Sequence, residues 1–476
     1  MLLLREINPD VRKMKVSEQE ILERRAVEIR VEIEQGIAKP YKELIDVSSG
    51  NPQGMGIRPL TFVRQVLATC LYPSLMHDDS LPLDVRQRAQ RLLGECEGGS
   101  LGSYPAIYGI KQVRHTISAF ITRRDGFASD PDNIAITSGS QHALMLLLKL
   151  LVKGEGSQQT GVLTPVPCYR SFNKALVAQG AVSVPYYLCE EQDWTVQIQE
   201  LRRALHAARG HCNPMVLYVI NPGNPSGHVQ SKASIEEVIR FAAEEGLFLL
   251  ADEVYQSCVF GDDSEFHSYK KVLSEMGPPF SSNMELASFH SISKGFMGEC
   301  GLRCGYVEMV NLDPLVMHYA HTLFSTNASA PVPGQITLDV MTNPPQPGEP
   351  SYALYAQEVQ SIRSAIMNNV QRILDVVSGL PGMTCQPIKG GIFAFLRLHL
   401  SQAAMKHAKE KELDPDLLYS LRLLEETGLC VAPGCELRQK KGTHHIRICL
   451  ATPQDTMEDV LQRLKSFHLR FIKEFP

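Results

Sequence analysis

The sequence predicts an α/β protein whose mostly parallel sheet is covered by helices on both faces. In the middle third, short apolar runs with the length of buried strands alternate with segments of helical periodicity. Glycines, prolines and small polar residues separate the two kinds of segment. Most of these runs show no alternation of apolar and polar residues, as expected of strands that bury both faces in a parallel sheet.

The predicted elements of this region follow one another without internal repeats. We expect strands at 161–167, 215–222, 247–255, 285–293 and 304–310, and helices at 142–152, 174–180 and 235–246. Ligands of such sheets bind beyond the carboxyl ends of the strands. Polar clusters at those ends are therefore the first candidates for a functional site.

The flanking regions predict further domains. Residues 17–36 have the pattern of a charged amphipathic helix, which we interpret as an arm. A proline-rich connector at 343–350 is followed by helices and short strands. We therefore predict an N-terminal arm with part of a small domain over 1–57, a large domain over 58–342, and a smaller α/β domain over 343–476.

Composition and charge exclude several classes of protein. The 476 residues are 44% hydrophobic and 21% charged, an ordinary globular composition, and the net charge of −5 offers no basic surface for nucleic acid or anionic membrane. The twelve cysteines lack the spacing of a zinc site, so we expect free thiols and no bound metal. Without a signal peptide pattern or a long apolar run, we expect a cytoplasmic protein without membrane spans.

Four polar motifs follow or precede the predicted strands. Lys294 lies in SISKG, Asn224 in NPGNPSG, Asp252 and Tyr255 in ADEVY, and Arg303 in GLRCGY. Each has an ordinary explanation: a surface lysine, a rigid turn, a helix-capping aspartate and a surface salt bridge. Their shared position at strand ends favours one site that binds an anionic ligand.

Together these motifs resemble the class I/II aminotransferases of fold type I, which use pyridoxal 5′-phosphate (PLP), and they are most similar to alanine aminotransferases. The segments INPGNPSG, LLADEVYQ, ELASFHSISKGFMGECG and LRLLEETGLCV carry the resemblance, which covers nearly the whole chain. It implies a seven-stranded, mostly parallel sheet in the large domain, PLP as cofactor, and a homodimer with its active sites at the interface.

The resemblance also implies roles for the residues at the strand ends. Lys294 would form the Schiff base with PLP and move the substrate proton. Asp252 would pair with the pyridine nitrogen and keep it protonated. Tyr255 and Asn224 would hydrogen-bond the ring hydroxyl, and Tyr169 would stack on the ring.

Other residues are expected to hold the phosphate and the substrate. Ser291, Arg303 and the backbone N–H groups of Ser140 and Gln141 would bind the phosphate at the start of a helix. Tyr104 would reach the phosphate of the neighbouring subunit. For the substrate, Arg447 would bind the α-carboxylate and Asn224 would lie beside it.

The function implied is transamination between L-alanine and 2-oxoglutarate. Two alternatives stay open: an aminotransferase or β-lyase for a different amino acid, and a weakly catalytic PLP-fold protein with a regulatory or binding role. The chain departs from the alanine aminotransferase pattern at MKVSEQEI (14–21), SYPAIYG (103–109), GSQHA (139–143) and PGCELR (433–438). These departures lie around the substrate and the phosphate and not around Lys294, Asp252, Tyr255 and Asn224.

Overall fold

A computed structural model describes residues 8–14, 17–261, 263–327 and 329–476. The start of the chain, where we predict no signal peptide, lies largely outside the described residues. The described strands are β1 Ile45–Asp46, β2 Ile134–Thr137, β3 Thr160–Val166, β4 Val182–Tyr187, β5 Asn213–Ile220, β6 Phe248–Asp252, β7 Leu286–Ser291, β8 Gly305–Val310, β9 Met383–Cys385, β10 Phe393–Leu398, β11 Leu429–Cys430, β12 Ala432–Pro433 and β13 His445–Cys449.

Helices occupy most of the remaining described chain. They are α1 Pro9–Arg12, α2 Glu18–Glu34, α3 Thr61–Leu71, α4 Leu83–Gly94, α5 Lys111–Asp125, α6 Ser140–Leu151, α7 Arg170–Ala178, α8 Ile198–Ala208, α9 Lys232–Glu244, α10 Tyr269–Glu275, α11 Phe280–Asn283, α12 Pro314–Phe324, α13 Val332–Thr342, α14 Tyr352–Ser378, α15 Gln402–Glu410, α16 Pro415–Thr427 and α17 Gln454–Glu474.

A seven-stranded sheet forms the centre of the fold, in the order β2-β8-β7-β6-β5-β3-β4. Strands β4, β3, β5, β6 and β7 pair in parallel, whereas β8 is antiparallel to both β7 and β2. The predicted mostly parallel, seven-stranded sheet is therefore confirmed. Because β8 runs opposite to β7, the start of β8 lies at the same edge as the ends of β5, β6 and β7.

Helices cover both faces of this sheet. On β5, Leu217 and Val219 pack with α8, α9 and α10, while Val216 and Tyr218 pack with α6, α7 and α12. Neighbouring residues of a strand point to opposite faces, so both sets of side chains lose their contact with water. This explains why the strand sequences are apolar without alternation.

A second sheet gathers the C-terminal strands, in the antiparallel order β12-β13-β10-β9. Helices α14 and α17 share one core with it. The N-terminal strand β1 pairs in parallel with β11, which joins the two ends of the chain. The boundaries of the three predicted parts stay a prediction.

Several elements differ from the sequence prediction. Helix α7 begins at Arg170 instead of residue 174, and the strand predicted over 247–255 ends at Asp252. Strands β2 and β4 were not predicted, because one is four residues long and the other carries a proline and two tyrosines in VSVPYY. In the described part of the chain, we find no helix with the length and apolarity needed to cross a membrane.

Candidate active site

The carboxyl edge of the central sheet borders a cavity of ≈ 390 Å³. Asp252 and Ser291 are the last residues of β6 and β7, and the turns that follow β5 and β7 carry Asn224 and Lys294. All the sequence-predicted site residues except Tyr104 line this cavity: Ser140, Gln141, Tyr169, Asn224, Asp252, Tyr255, Ser291, Lys294, Arg303 and Arg447.

Lys294 is held against the N-terminal segment of the chain. Its Nζ donates to the carbonyl oxygen of Gly50 at 2.7 Å. A Cβ atom at Gly50 would lie 3.0 Å from that Nζ and 2.9 Å from the Phe393 ring, so the close approach requires a residue without a side chain. Burial is the largest cause that lowers the pKa of Lys294. A lower pKa favours the neutral amine, which is the nucleophilic form.

Asp252 receives a hydrogen bond from a residue that the sequence analysis missed. Tyr218, on β5, donates its hydroxyl proton to Asp252 Oδ2 at 2.8 Å. The Tyr218 ring stacks on Phe172 with 3.6 Å between centroids, which fixes its orientation. Burial raises the pKa of Asp252 to about 6, and the Tyr218 hydrogen bond opposes that rise. The hydroxyl group of a tyrosine within the apolar run MVLYVI was the only available signal for Tyr218.

Hydrogen bonds connect Tyr255, Asn224 and Arg447. Asn224 Nδ2 donates to the Tyr255 hydroxyl at 3.2 Å, and Arg447 Nη1 donates to Asn224 Oδ1 at 3.3 Å. Burial raises the pKa of Tyr255 well above its ordinary value, so its hydroxyl stays protonated and can donate. The side-chain amide of Asn224 therefore donates to Tyr255 through its nitrogen and accepts from Arg447 through its oxygen.

Arg447 is a buried cation at the centre of β13. Only 7% of its surface is exposed, and its Nη2 donates to the Ser48 carbonyl at 2.6 Å. Its guanidinium lies 4.2 Å from the centroid of the Phe393 ring. Within the described ranges it pairs with no carboxylate, and its buried Nε has no hydrogen-bond partner. A buried cation that lacks a carboxylate partner suits an anionic ligand.

The start of α6 forms the other end of the cavity. Its N-cap is Gly139 (φ +91°), so no side chain caps the first turn, and the N–H groups of Ser140 and Gln141 begin the helix. The buried Gln141 Oε1 has no hydrogen-bond partner among the described residues. Ser291 is buried at the end of β7. Free N–H groups at a helix start form a ready anion site.

Arg303 adds a positive charge beside this helix start. It donates to the Cys300 carbonyl at 2.9 Å, and to the Ser138 carbonyl and the Ser293 hydroxyl at 3.4 Å each. A Cβ atom at Gly139 would lie 2.5 Å from the guanidinium, so this glycine is required for the approach. No described carboxylate pairs with Arg303, which leaves its charge available.

Tyr169 and Tyr104 lie in different surroundings. Tyr169 precedes α7 as its N-cap residue and lines the cavity. Tyr104 is 82% exposed and does not line it. Within a single chain, the structure therefore does not bring Tyr104 to the other predicted residues.

Several residues that the sequence analysis did not identify also line the cavity, and four of them are polar residues of α2, α7 and a C-terminal segment. Gln19 and Glu23 come from α2, Arg170 from α7, and Glu436 from the segment after β12. We call these four the outer wall, and Asn224, Asp252, Tyr255 and Lys294 the floor. Two of the departures from the alanine aminotransferase pattern, at 14–21 and 433–438, supply outer-wall residues.

Comparison with known proteins assigns the fold and the site to a family. The family model described as "Aminotransferase class I and II" matches residues 67–464. Alanine aminotransferase 2 of Xenopus laevis is 47% identical over 100% of this chain and 88% of its own length, and human alanine aminotransferase 1 is 46% identical over 100% and 96%. Alanine aminotransferase from Pyrococcus furiosus has the same fold, with a TM-score of 0.76 and 17% identity over 98% of this chain and 100% of its own.

Together with this family match, the fold and the site define a PLP-dependent enzyme of fold type I. The chain belongs to the class I and II aminotransferase family and is a PLP-dependent aminotransferase.

The charges in the cavity fit PLP. Asp252 has no cation hydrogen-bonded to it among the described residues, as expected if its partner is a protonated ring nitrogen. At the opposite end, Arg303 and the uncapped start of α6 lack an anion, which the phosphate would supply. Lys294 lines the same cavity as both groups.

Proposed function

We propose that this enzyme transfers the amino group between L-alanine and 2-oxoglutarate, with pyruvate and L-glutamate as the other pair. The observation that carries the proposal is that Arg447, which pairs with no carboxylate among the described residues, lies in one cavity with Lys294. An amino acid bound by its carboxylate to Arg447 would lie in the same cavity as the lysine amine. The names and full-length similarity of the vertebrate relatives support alanine as the donor.

PLP, when bound, supplies an electron sink for the pair left when the substrate Cα loses its proton. Asp252 would hold a proton on the ring nitrogen, and Tyr218 would keep that carboxylate ionised and oriented. Tyr255 and Asn224 would hydrogen-bond the ring hydroxyl. Lys294 would hold the cofactor covalently and then move the proton at the substrate Cα as a neutral amine.

Binding is divided between the two ends of the cavity. Ser291, Arg303 and the first N–H groups of α6, at Ser140 and Gln141, would hold the phosphate. Tyr169 would stack on the ring. Arg447 would bind the α-carboxylate in the bidentate manner of guanidinium groups.

The proposal includes a homodimer in the cytoplasm. The exposure of Tyr104 supports the dimer, since an aromatic side chain that is 82% accessible in one chain is available to a partner. The twelve free cysteines support the cytoplasm, because thiols stay reduced in that compartment. Size-exclusion chromatography with light scattering would test the first, and imaging of a fluorescent fusion the second.

A different amino donor is the second candidate, since the outer wall is polar where the alanine side chain is a methyl group. A β-lyase would share the floor, and a weakly catalytic regulatory protein would retain PLP without turnover. The purified holoenzyme should be assayed with a panel of amino donors and 2-oxoglutarate. Turnover of another donor without turnover of alanine would overturn the first proposal, and release of ammonia would indicate elimination.

A further inference from the structure

Arg170 is the cation of the cavity that has no role in the function proposed above. In the described part of the chain, the cationic side chains that line the cavity are Arg170, Lys294, Arg303 and Arg447. The last three are used for the cofactor and the α-carboxylate. Arg170 is the first residue of α7, directly after Tyr169, so its backbone is positioned beside the aromatic residue that would stack on the ring.

The present partners of Arg170 hold it weakly. Its Nη2 lies 3.5 Å from Glu23 Oε1 and its Nη1 lies 3.7 Å from Glu436 Oε1, while Ser17 Oγ is 3.5 Å away. Charge-assisted hydrogen bonds of arginine are normally shorter, at about 2.7 to 2.9 Å. The side chain is 29% exposed, so water can replace these contacts at little cost.

Glu436 is a weak counter-ion for a further reason. Its side chain is only 4% exposed, and its Oε2 accepts from the Gln19 backbone N–H at 3.3 Å. Burial is the largest cause that raises its pKa, and the neighbouring Glu18 raises it further. A carboxyl that takes up a proton readily neutralises less of the charge of Arg170.

Arg170 and Arg447 line the same cavity. Burial is the main cause that lowers the pKa of Arg447, and the positive charge of Arg170 lowers it further. A substrate with one carboxylate would neutralise only one of these cations. A substrate with carboxylates at both ends would neutralise both, which is the more favourable arrangement in a partly desolvated cavity.

We propose that Arg170 binds the distal carboxylate of the dicarboxylic substrate, and that Glu23 and Glu436 hold it when the substrate side chain is small. The inference rests on the proposed function, in which glutamate and 2-oxoglutarate alternate with alanine and pyruvate. One cavity then accepts both kinds of substrate, because the arginine exchanges its partners. Arg170 is therefore a residue that determines specificity in one half-reaction.

The test compares Arg170→Gln with Lys174→Gln. Lys174 is a second cation on α7, pairs with Glu20 at 2.7 Å, and does not line the cavity, so it is a matched control. Single-turnover kinetics should measure each half-reaction separately. In Arg170→Gln we expect kcat/KM for glutamate and for 2-oxoglutarate to fall roughly 10- to 100-fold, the effect of one charge-assisted hydrogen bond. The alanine and pyruvate half-reactions should change less than about threefold, and Lys174→Gln should leave all four near wild type.

Equilibrium binding provides a readout that needs no turnover. Calorimetry on the holoenzyme should compare glutarate with butyrate, which lacks only the distal carboxylate. The wild type should prefer glutarate, Arg170→Gln should lose that preference, and Arg170→Lys should keep part of it because the charge remains.

Two results would overturn the inference. One is an unchanged preference for glutarate in Arg170→Gln, and the other is an equal loss in all four half-reactions, which would indicate a structural role. Failure of the proposed function gives a different result, because the wild-type enzyme would then not react with alanine. The comparison of glutarate with butyrate needs no turnover, so it would still test the role of Arg170.

Discussion

The floor and the outer wall of the cavity are built in contrasting ways. Floor residues lie at strand ends of one sheet or in the turns that follow, and they are held by hydrogen bonds such as the 2.7 Å contact of Lys294 and the 2.8 Å contact of Asp252. Outer-wall residues come from two helices and a C-terminal segment, and the contacts of Arg170 there are 3.5 to 3.7 Å long. The difference teaches that the chemistry rests on a rigid frame, whereas substrate choice rests on side chains that can change partners.

Replacement of Lys294 by alanine tests whether the floor carries the chemistry. We expect kcat/KM to fall by about four orders of magnitude, because both the covalent amine and the proton-transfer group are lost. The visible absorbance of lysine-linked PLP should disappear as well. Stopped-flow assays and absorbance spectra measure the two effects, with Lys149→Ala, an exposed lysine on α6, as the control. An unchanged spectrum and rate would refute the assignment of Lys294.

Asp252→Asn keeps the shape of the floor but removes its negative charge. We expect kcat to fall roughly 10²- to 10³-fold, comparable to the loss of one preorganised electrostatic partner. The neighbouring Glu253 accepts from the Tyr269 N–H at 2.7 Å and does not line the cavity, so Glu253→Gln is the matched control. Steady-state rates that fall equally in both variants would contradict a specific role for Asp252.

Tyr218→Phe tests whether the Tyr218 hydroxyl stabilises the ionised form of Asp252. The readout is the pH dependence of PLP affinity. Burial raises the pKa of Asp252 to about 6, so the carboxylate that pairs with the ring nitrogen is present above that pH and lost below it. The Tyr218 hydroxyl stabilises the ionised form, so its removal should raise this pKa by about one unit. As the pH is lowered, PLP affinity should therefore begin to fall at a higher pH in Tyr218→Phe than in the wild type. Absorbance titration across the pH range measures this affinity.

Tyr186→Phe is the control for that experiment, because Tyr186 donates to the Tyr218 carbonyl at 2.9 Å and does not contact Asp252. Titration of the cofactor phosphate is common to all three proteins and cancels in the comparison. Coincident midpoints in the two variants would argue against a role for Tyr218 in holding Asp252.

Glu436→Gln should have the smallest effect, since it changes only the outer wall. Without this carboxylate Arg170 has one acidic partner fewer, so the KM for glutamate should fall about two- to threefold. The rate with alanine should change little, because its methyl group does not need Arg170. Initial-rate measurements with both donors would check this. A large loss with both would place Glu436 in the chemistry and remove the distinction between floor and outer wall.

Much of the floor could be predicted from the sequence because its signals are local. Asp252 and Asn224 each follow an apolar strand, and the carboxyl ends of neighbouring parallel strands meet at one edge. The motif around Lys294 alone does not indicate a site. Its prediction as the PLP-binding lysine depended on these neighbouring residues and on the family resemblance.

The other parts of the site depend on contacts between distant segments. Gly50 touches Lys294 although 244 residues separate them, and nothing in its local sequence indicates this. Tyr218 has the pattern of a core residue, because a tyrosine in a buried strand is usually explained by packing. Arg170 and Glu436 approach each other only after α7 and the segment following β12 are packed together.

The pairing of β1 with β11 has a consequence for biosynthesis. Ile45 pairs with Leu429, the Cys449 N–H donates to the Val47 carbonyl at 2.9 Å, and the same N-terminal stretch reaches Lys294 through Gly50. A ribosome that has already released the central sheet has yet to make the strand that carries Arg447. Domains fold in the order of their synthesis. The nascent chain is therefore expected to lack Arg447, and with it the α-carboxylate site, until β13 has been synthesised.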